Sequence, residues 1–323
     1  MIVTLTANPS LDRTVELGAP LERGEVQRAV SVRQESGGKG VNVSRALKTS
    51  GLATLAVLPG DAEDPVLAGL RATQVPFAAL PIGAPLRSNV ALTEPDGVTT
   101  KVNEPGPELT AGQVQDLVAL LVDRSRGASW VVLAGSLPPG VPADFYAAVA
   151  ERLRAGAAAD GGPSPKIAVD SSGGPLAASL AGRPDLLKPN ADELAELAAA
   201  VGLPDVGSPA ELEASPELAA KAARALVDAG VGAVLATLGS KGAVLVTPEG
   251  AWHATHAPIR AVSTVGAGDS SLAGYLLAET HGADSVGRLR QAVAHGAAAA
   301  SLPGSTVPSE DQTDPSAVTV TAI

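Results

Sequence analysis

The chain contains no cysteine among its 323 residues. Disulfides, thiolate nucleophiles and Cys-based zinc or iron–sulfur sites are therefore excluded, a usage that fits a reducing compartment. Aromatic residues make up only 2%, so the core must be built from Ala, Val and Leu, whose small side chains let helices lie close to a sheet. Basic charge is in deficit, 23 Lys and Arg against 34 Asp and Glu, for a net charge of −11. Duplex nucleic acid would be repelled, and any anionic ligand must be held by a local cationic pocket. Long hydrophobic runs are also missing: charge-free stretches such as Gly127 to Ala143 contain Pro and Gly and make no spanning helix. The opening MIVTLTANPSLD has no basic n-region and reaches Asp12 after a short apolar run, so no signal peptide is expected. A cytoplasmic protein with neither nucleic-acid nor membrane partners is the expectation. The four histidines, at 253, 256, 281 and 295, are scattered; His253 and His256 flank a β-like stretch around Trp252 and read as strand residues before they read as a metal pair.

Hydrophobic residues are 45% and charged residues 18%, a globular composition. The length allows two domains or one large domain with an embellishment; the pattern favours one, over 1–323. Short β-branched runs alternate with helical patterns: Ile2–Thr6 then Val41–Ser50, Thr54–Leu58 then Pro65–Thr73, Trp130–Ala134 then Pro142–Arg154, Ile167–Asp170 then Pro175–Leu180. Leu186–Lys188 leads into Ala191–Val201, and Ala233–Thr237 follows a helix at Glu217–Ala229. Strands as continuously apolar as VVLA at 131–134 are covered on both faces, as in a parallel sheet. The expectation is an α/β three-layer sandwich around a mostly parallel sheet. Two segments break the alternation, at about 12–36 and 86–105. The second contains SNVALTEPDGVTTKVN, a hairpin turning at Pro95-Asp96-Gly97. Together they predict a small, half-exposed antiparallel sheet, either a lid over a cleft or a decorative edge. Residues 156–165 and 202–216 read as loops, and a last strand is expected at Ala317–Thr321.

Four motifs carry possible chemistry. Gly266-Ala267-Gly268-Asp269 opens the helix Ser270–Thr280 and is expected to follow a strand. Its glycines let main-chain N–H groups converge on an anion, and Asp269 beside such a hole could accept a proton from an attacking hydroxyl; a plain helix-capping turn fits the same residues. Gly37-Gly38-Lys39-Gly40 opens another helix but fails the Walker A spacing, since Gly40 stands where Ser or Thr is required. Its glycines admit a polyol to the backbone, Asn42 offers an amide, and Lys39 could meet a phosphate as a point charge. Asn190 and Glu193 in LKPNADEL form a capping box or organise magnesium and nucleotide phosphates. TLGSKG at 237–242 ends a buried strand, where ligands collect in open α/β sheets, or is simply a turn.

The set, in order, resembles the ribokinase/PfkB carbohydrate kinase family over essentially the whole length. Seven segments match: TLTANPSLD, GGKGVNVSRAL, TKVNEPGP, AGSLPPG, LKPNADEL, TLGSKGA and STVGAGDS. GGKG with its Lys, the neighbouring Arg87, and Ser263 in place of an Asp common before the Thr resemble the phosphosugar branch, that of 1-phosphofructokinase and tagatose-6-phosphate kinase; TKVNEPGP looks most like the former. The resemblance implies ATP-dependent phosphorylation of a sugar phosphate with Mg²⁺, fructose 1-phosphate first, with tagatose-6-phosphate kinase or 6-phosphofructokinase as sibling activities. A non-catalytic sugar-phosphate-binding regulator is the competing class. It further implies Asp269 as base, the amides of Gly266, Ala267, Gly268 and Asp269 as anion hole, and sugar hydroxyls held by Asp12, Gly37, Gly38 and Asn42. Lys39, Arg87, Lys101 and Ser136 would hold the sugar phosphate. Lys188, Asn190, Thr237, Gly239 and Gly242 would line the nucleotide site, with adenine around His295–Ala299, and Glu193 would serve magnesium. The small sheet would be the lid and clasp of a homodimer.

Overall fold

In the computed structural model, which describes residues 1–203 and 205–323, the chain forms a ten-stranded sheet and a separate four-stranded sheet. Strand β1 (Ile2–Thr6) lies inside the large sheet. On one side it is followed by β4 (Thr54–Pro59) and β5 (Phe77–Leu80). On the other stand β8 (Trp130–Ala134), β9 (Lys166–Asp170), β10 (Leu186–Leu187) and β11 (Val234–Thr237), and all these pairings are parallel. Beyond β11 the sheet continues antiparallel through β12 (Ala243–Thr247), β13 (Gly250–His256) and β14 (Val318–Ala322). The reversal has a local cause: only the short turn containing Gly239–Lys241 joins β11 to β12, too little chain for a parallel crossover.

Helices cover both faces. α3 (Ala111–Arg124), α4 (Phe145–Ala159), α5 (Gly173–Ser179), α6 (Ala191–Ala200), α7 (Pro209–Ala214) and α8 (Pro216–Asp228) pack on one. α1 (Lys39–Thr49), α9 (Ala267–Thr280) and α10 (Ser285–Ala300) pack on the other, while α2 (Pro65–Ala72) packs against Ala56 and Leu58 of β4 and Val41 of α1. Burial on both sides is why the strands are apolar throughout: Val131 and Leu133 join the first core, Val132 and Ala134 the second. Among the described residues no helix is long and apolar enough to cross a membrane.

The small sheet is ordered β3 (Ala29–Gly37), β2 (Ser10–Leu17), β6 (Arg87–Thr93), β7 (Thr99–Asn103). It is mixed rather than wholly antiparallel, because β2 and β6 run parallel; the long intervening chain permits either direction. β5, β12, α3 and α10 had no counterpart in the sequence reading; for α10 the available signal was Asp284, whose side chain accepts the Gly287 N–H and caps the helix. Within the expected loop 202–216, Pro209 and a Ser208–Glu211 capping box start α7; Pro204 of that loop lies outside the described residues. α4 likewise runs through Ala159 into the expected loop 156–165. No strand precedes the GAGD turn: β13 ends at His256, and the chain from 257 to 266 is irregular.

Candidate active site

The GGKG turn is pressed onto the end of β1. A Cβ on Gly38, whose φ is +106°, would stand 2.7 Å from Thr6 Cγ2, and one on Gly40 would stand 2.5 Å from Thr6 Oγ1. A Cβ on Gly37 would fall 2.0 Å from Asp12 Oδ2. Only glycine permits so close an approach. α1 therefore begins at the carboxyl end of the central strands, where open α/β sheets bind ligands.

Lys39, the first residue of α1, sends its Nζ to Asp170 Oδ1 at 2.6 Å and lies 3.6 Å from Glu193 Oε1. Asp170, fully buried at the end of β9, also has Lys188 Nζ at 3.0 Å from its other oxygen. A Cβ on Gly268 would come 3.1 Å from that same Lys188 Nζ. One carboxylate thus gathers the GGKG turn, the LKPN segment and the GAGD turn. Burial opposes ionisation of Asp170, but the ammonium groups of Lys188 and Lys39 outweigh it and hold the carboxyl below the usual range. For Lys39, too, the carboxylates of Asp170 and Glu193 overcome burial and keep the amine charged.

Asp269 lies in the first turn of α9 and is buried. Asn42 Nδ2 donates to its Oδ2 at 2.9 Å. Burial and the nearby charge of Asp170 push its pKa up to about 6, against Lys39, Asn42 and Lys188. The carboxylate is therefore ionised at neutral pH yet basic enough to take a proton. Gly266 caps the helix at φ +76°, and the next amides, at Ala267, Gly268 and Asp269, belong to the first turn, where N–H groups lack helical acceptors.

At the start of α6, Asn190 Oδ1 accepts the Glu193 N–H at 2.8 Å, and Glu193 Oε2 accepts the Asn190 N–H at 2.9 Å. The capping box is formed, and it leaves Glu193 Oε1 on the Lys39 side. Thr237, ending β11, bridges to Asn190. Gly239 (φ +52°) opens the turn after it, and Gly242 has a local reason to be glycine, since a Cβ there would meet Ala254 O at 1.9 Å.

A second grouping lies where the small sheet meets the large one. Asp12 on β2 accepts from Ser10 Oγ at 2.7 Å and from Asn89 Nδ2 at 3.0 Å, and burial raises its pKa. Arg87 Nε donates to Asn8 O at 3.2 Å, while Asn8 Nδ2 donates to Ser136 Oγ at 3.3 Å. Arg87, Asn8, Ser136 and Gly140 line an open cavity of about 450 Å³. Asn8 Oδ1 is buried without a hydrogen-bond partner. Lys101, expected beside Arg87, is exposed on β7 and does not line this cavity. Lys39, expected here as well, sits instead with Asp170 and Glu193. Asn8 and Asp170 escaped the sequence reading; an acidic residue ending a fully buried strand was the available signal for the second.

The histidines stand elsewhere. His253 and His256, three apart on β13, point to opposite sides and meet the carbonyls of Lys241 and Ala257. Among the described residues no three His, Cys, Asp or Glu side chains gather as for a metal. His281 caps the end of α9. His295, on α10 and expected near adenine, is buried against Gly274 of α9 and lies 3.3 Å from Ser50 Oγ at the end of α1; burial lowers its pKa to about 4.

Residues 5–312 match the family described as pfkB family carbohydrate kinase. The chain is 35% identical to the ATP-dependent 6-phosphofructokinase isozyme 2 of Mycobacterium tuberculosis, over 97% of this chain and 88% of that one. It is 34% identical to the 1-phosphofructokinase of Rhodobacter capsulatus, over 91% and 88%. Phosphofructokinase-2 from Escherichia coli in complex with potassium superposes with a TM-score of 0.84 at 28% identity, covering 96% of each chain, and its tetrameric inhibited form with 0.83 at 29%, with the same coverage.

Proposed function

Because the chain belongs to the pfkB family of carbohydrate kinases, we propose that it transfers the terminal phosphoryl group of ATP to fructose 1-phosphate, giving fructose 1,6-bisphosphate. The observation that carries the phosphoryl-transfer part of this reading is the Asn42–Asp269 hydrogen bond of 2.9 Å beside the Lys39–Asp170–Lys188 cluster; the choice of fructose 1-phosphate rests on the resemblance of TKVNEPGP and on relatives such as the 1-phosphofructokinase of Rhodobacter capsulatus. A base, two cations and a helix N-terminus at one point are what a phosphoryl transfer needs. Asp269 takes the proton of the acceptor hydroxyl. The amides from Gly266 to Asp269 face the transferred phosphoryl, and Lys39 with Lys188 balances its charge. Lys39 serves this group rather than the phosphate already on the sugar, because its contacts are Asp170 and Glu193. Asp12, Gly37, Gly38 and Asn42 orient sugar hydroxyls, and Arg87 with Ser136 holds the sugar phosphate in the cavity beside Asn8. Lys101, exposed on β7 and outside that cavity, is given no part in holding the phosphate. Lys188, Asn190, Thr237, Gly239 and Gly242 line the nucleotide site.

Magnesium carried with a nucleotide needs one or two carboxylates besides phosphate oxygens and water. Glu193 Oε1, outside the capping box, fits that requirement. When bound, the ion neutralises charge on the phosphate oxygens.

Fructose 6-phosphate is the second reading, favoured by the 35% identity over 97% of the chain to a 6-phosphofructokinase. An ADP-release assay on fructose 1-phosphate, fructose 6-phosphate and tagatose 6-phosphate, at fixed ATP and magnesium, decides among them. The expected kcat/KM favours fructose 1-phosphate by at least roughly tenfold, about 1.4 kcal/mol of transition-state binding. A preference for either 6-phosphate moves the protein to the sibling activity, and no turnover of any sugar leaves a sugar-phosphate-binding regulator.

A further inference from the structure

Asn42 has two ends, and only one of them suits Asp269. A carboxylate accepts hydrogen bonds, so Asn42 must turn its Nδ2 toward Asp269 and its Oδ1 away. Left alone, the amide could reverse and set its oxygen against the carboxylate. One turn further along α1, Arg45 Nη1 lies 3.3 Å from Asn42 Oδ1. A guanidinium only donates, so it accepts the amide in one orientation and rejects the other. Arg45 is itself fixed: Nη2 pairs with Glu35 Oε1 at 3.1 Å, and Nη1 also approaches the carbonyls of Ser36 and Ser305. Glu35 is anchored in turn by the Ser305 hydroxyl at 2.6 Å. The side chain of Arg45 is only 12% exposed, so water competes little for these contacts.

We propose that Arg45 is a positioning residue, which locks the Asn42 amide with its NH₂ toward Asp269 and so ties the geometry of the base to strand β3 through Glu35. The inference rests on the reading of Asp269 as base. Arg45 makes no hydrogen bond to Asp269 in this structure; it acts through Asn42. Asp170, Lys39 and Lys188 also face Asp269, and none of them depends on Arg45 for its contacts. Losing the Asn42 donor removes an interaction that favours the ionised carboxylate, so the pKa of Asp269 should rise. A base is active when ionised, and its activity is lost as pH falls through that pKa; the acid limb of the pH profile should therefore move to higher pH.

The test measures kcat, KM and the pH profile of kcat/KM for Arg45→Gln, Arg45→Lys, Asn42→Ala and the double variant Arg45→Gln/Asn42→Ala, with Asp269→Asn alongside. Arg45→Gln is expected to lower kcat by roughly tenfold or more, to leave KM for ATP within about threefold, and to shift the acid limb upward. Arg45→Lys keeps a cation beside Glu35 but has no second nitrogen for Asn42; it should show the same kinetic loss with an unchanged Tm, separating positioning from folding. In the Asn42→Ala background Arg45→Gln should add less than about twofold, because the two residues act on one bond. Full additivity, an unmoved acid limb, or a fall in Tm with kcat intact overturns the proposal. Activity retained by Asp269→Asn would overturn the base reading, and the inference with it. Loss in Asp269→Asn with wild-type kinetics in both Arg45 variants would overturn the inference alone.

Discussion

Asp170→Asn removes the one negative charge that holds Lys39 and Lys188 together, and its effects on stability and on pH dependence have separable causes. Two ammonium groups stand 2.6 and 3.0 Å from its oxygens, and breaking one buried pair costs about 3–5 kcal/mol because the remaining charge is left unpaired. The two lysines do not share that cost equally. The Lys188 side chain is 5% exposed, whereas that of Lys39 is 33% exposed and keeps Glu193 as a second partner. Most of the loss therefore falls on Lys188, and the total should be about 3–4 kcal/mol rather than twice the single-pair value. For a chain of this length that is a fall in Tm of roughly 5 °C. The pH effect runs the other way from a simple loss of function. Asp170 is a like charge that raises the pKa of Asp269, so its removal, with both ammonium groups released, should lower that pKa by roughly one unit. The acid limb of kcat/KM, set near pH 6 in the parent by ionisation of Asp269, should move to lower pH even as kcat falls about 10- to 100-fold from misplaced lysines. Calorimetry and initial rates between pH 5 and 9 read both. A folded variant whose acid limb stays put or moves upward refutes the electrostatic coupling between the two aspartates.

Arg87→Ala should weaken sugar-phosphate binding by roughly 2–4 kcal/mol and raise its KM, leaving KM for ATP unchanged; the reverse pattern would exchange the two sites. His295, fully buried, has its pKa lowered to about 4, so the unfolded chain binds the extra proton first. Stability from this group is present above the unfolded value near 6.5 and is lost as pH falls toward 4, by roughly 3 kcal/mol at full titration. His295→Asn should flatten the stability profile over that window, and an unchanged slope in urea melts would assign the loss to other groups. The small sheet exposes Val30 at 70%, Val32 at 49%, Val98 at 54% and Val102 at 57%, an apolar face that we expect to close against a second copy. Sedimentation at micromolar concentration should give a dimer; a monomer would remove the clasp role of this sheet.

What was legible in the sequence was local. VVLA at 131–134 announces a strand buried on both faces, because each residue must suit one core or the other. Pro95-Asp96-Gly97 announces a turn between β6 and β7 for the same reason, that neighbouring residues settle it. The glycine turns were legible as turns, since glycine spacing at a helix start is itself local. Partner choice was not. Lys39 meets Asp170 across 131 residues of chain, and nothing near the GGKG motif distinguishes a lysine aimed at a sugar phosphate from one held by a buried carboxylate. Asn8 stayed hidden because its role follows from contacts to Pro105 and Ser136, brought near it only by the packing of strands.

The meeting of the two glycine turns follows from helix packing rather than from either motif. α1 and α9 lie on the same face of the sheet and pack against each other. Each starts at a glycine with positive φ, Gly38 and Gly266, so each leaves its preceding loop through a turn that an L side chain would strain. Packing brings Asn42, one turn into α1, against Asp269 in the first turn of α9, although 227 residues separate them. A substitution that slides α1 along α9 without touching either motif should therefore cost activity before it costs folding. Gly274, where α9 meets α10, is a lever of this kind acting through α9: a Cβ there would stand 2.6 Å from Gln291 O and 2.8 Å from His295 Cγ, so α9 must shift and carry Asp269 with it. Asp269 would then move against Asn42, which stays on α1, and a misplacement of about 1 Å is enough to cost on the order of a hundredfold in rate.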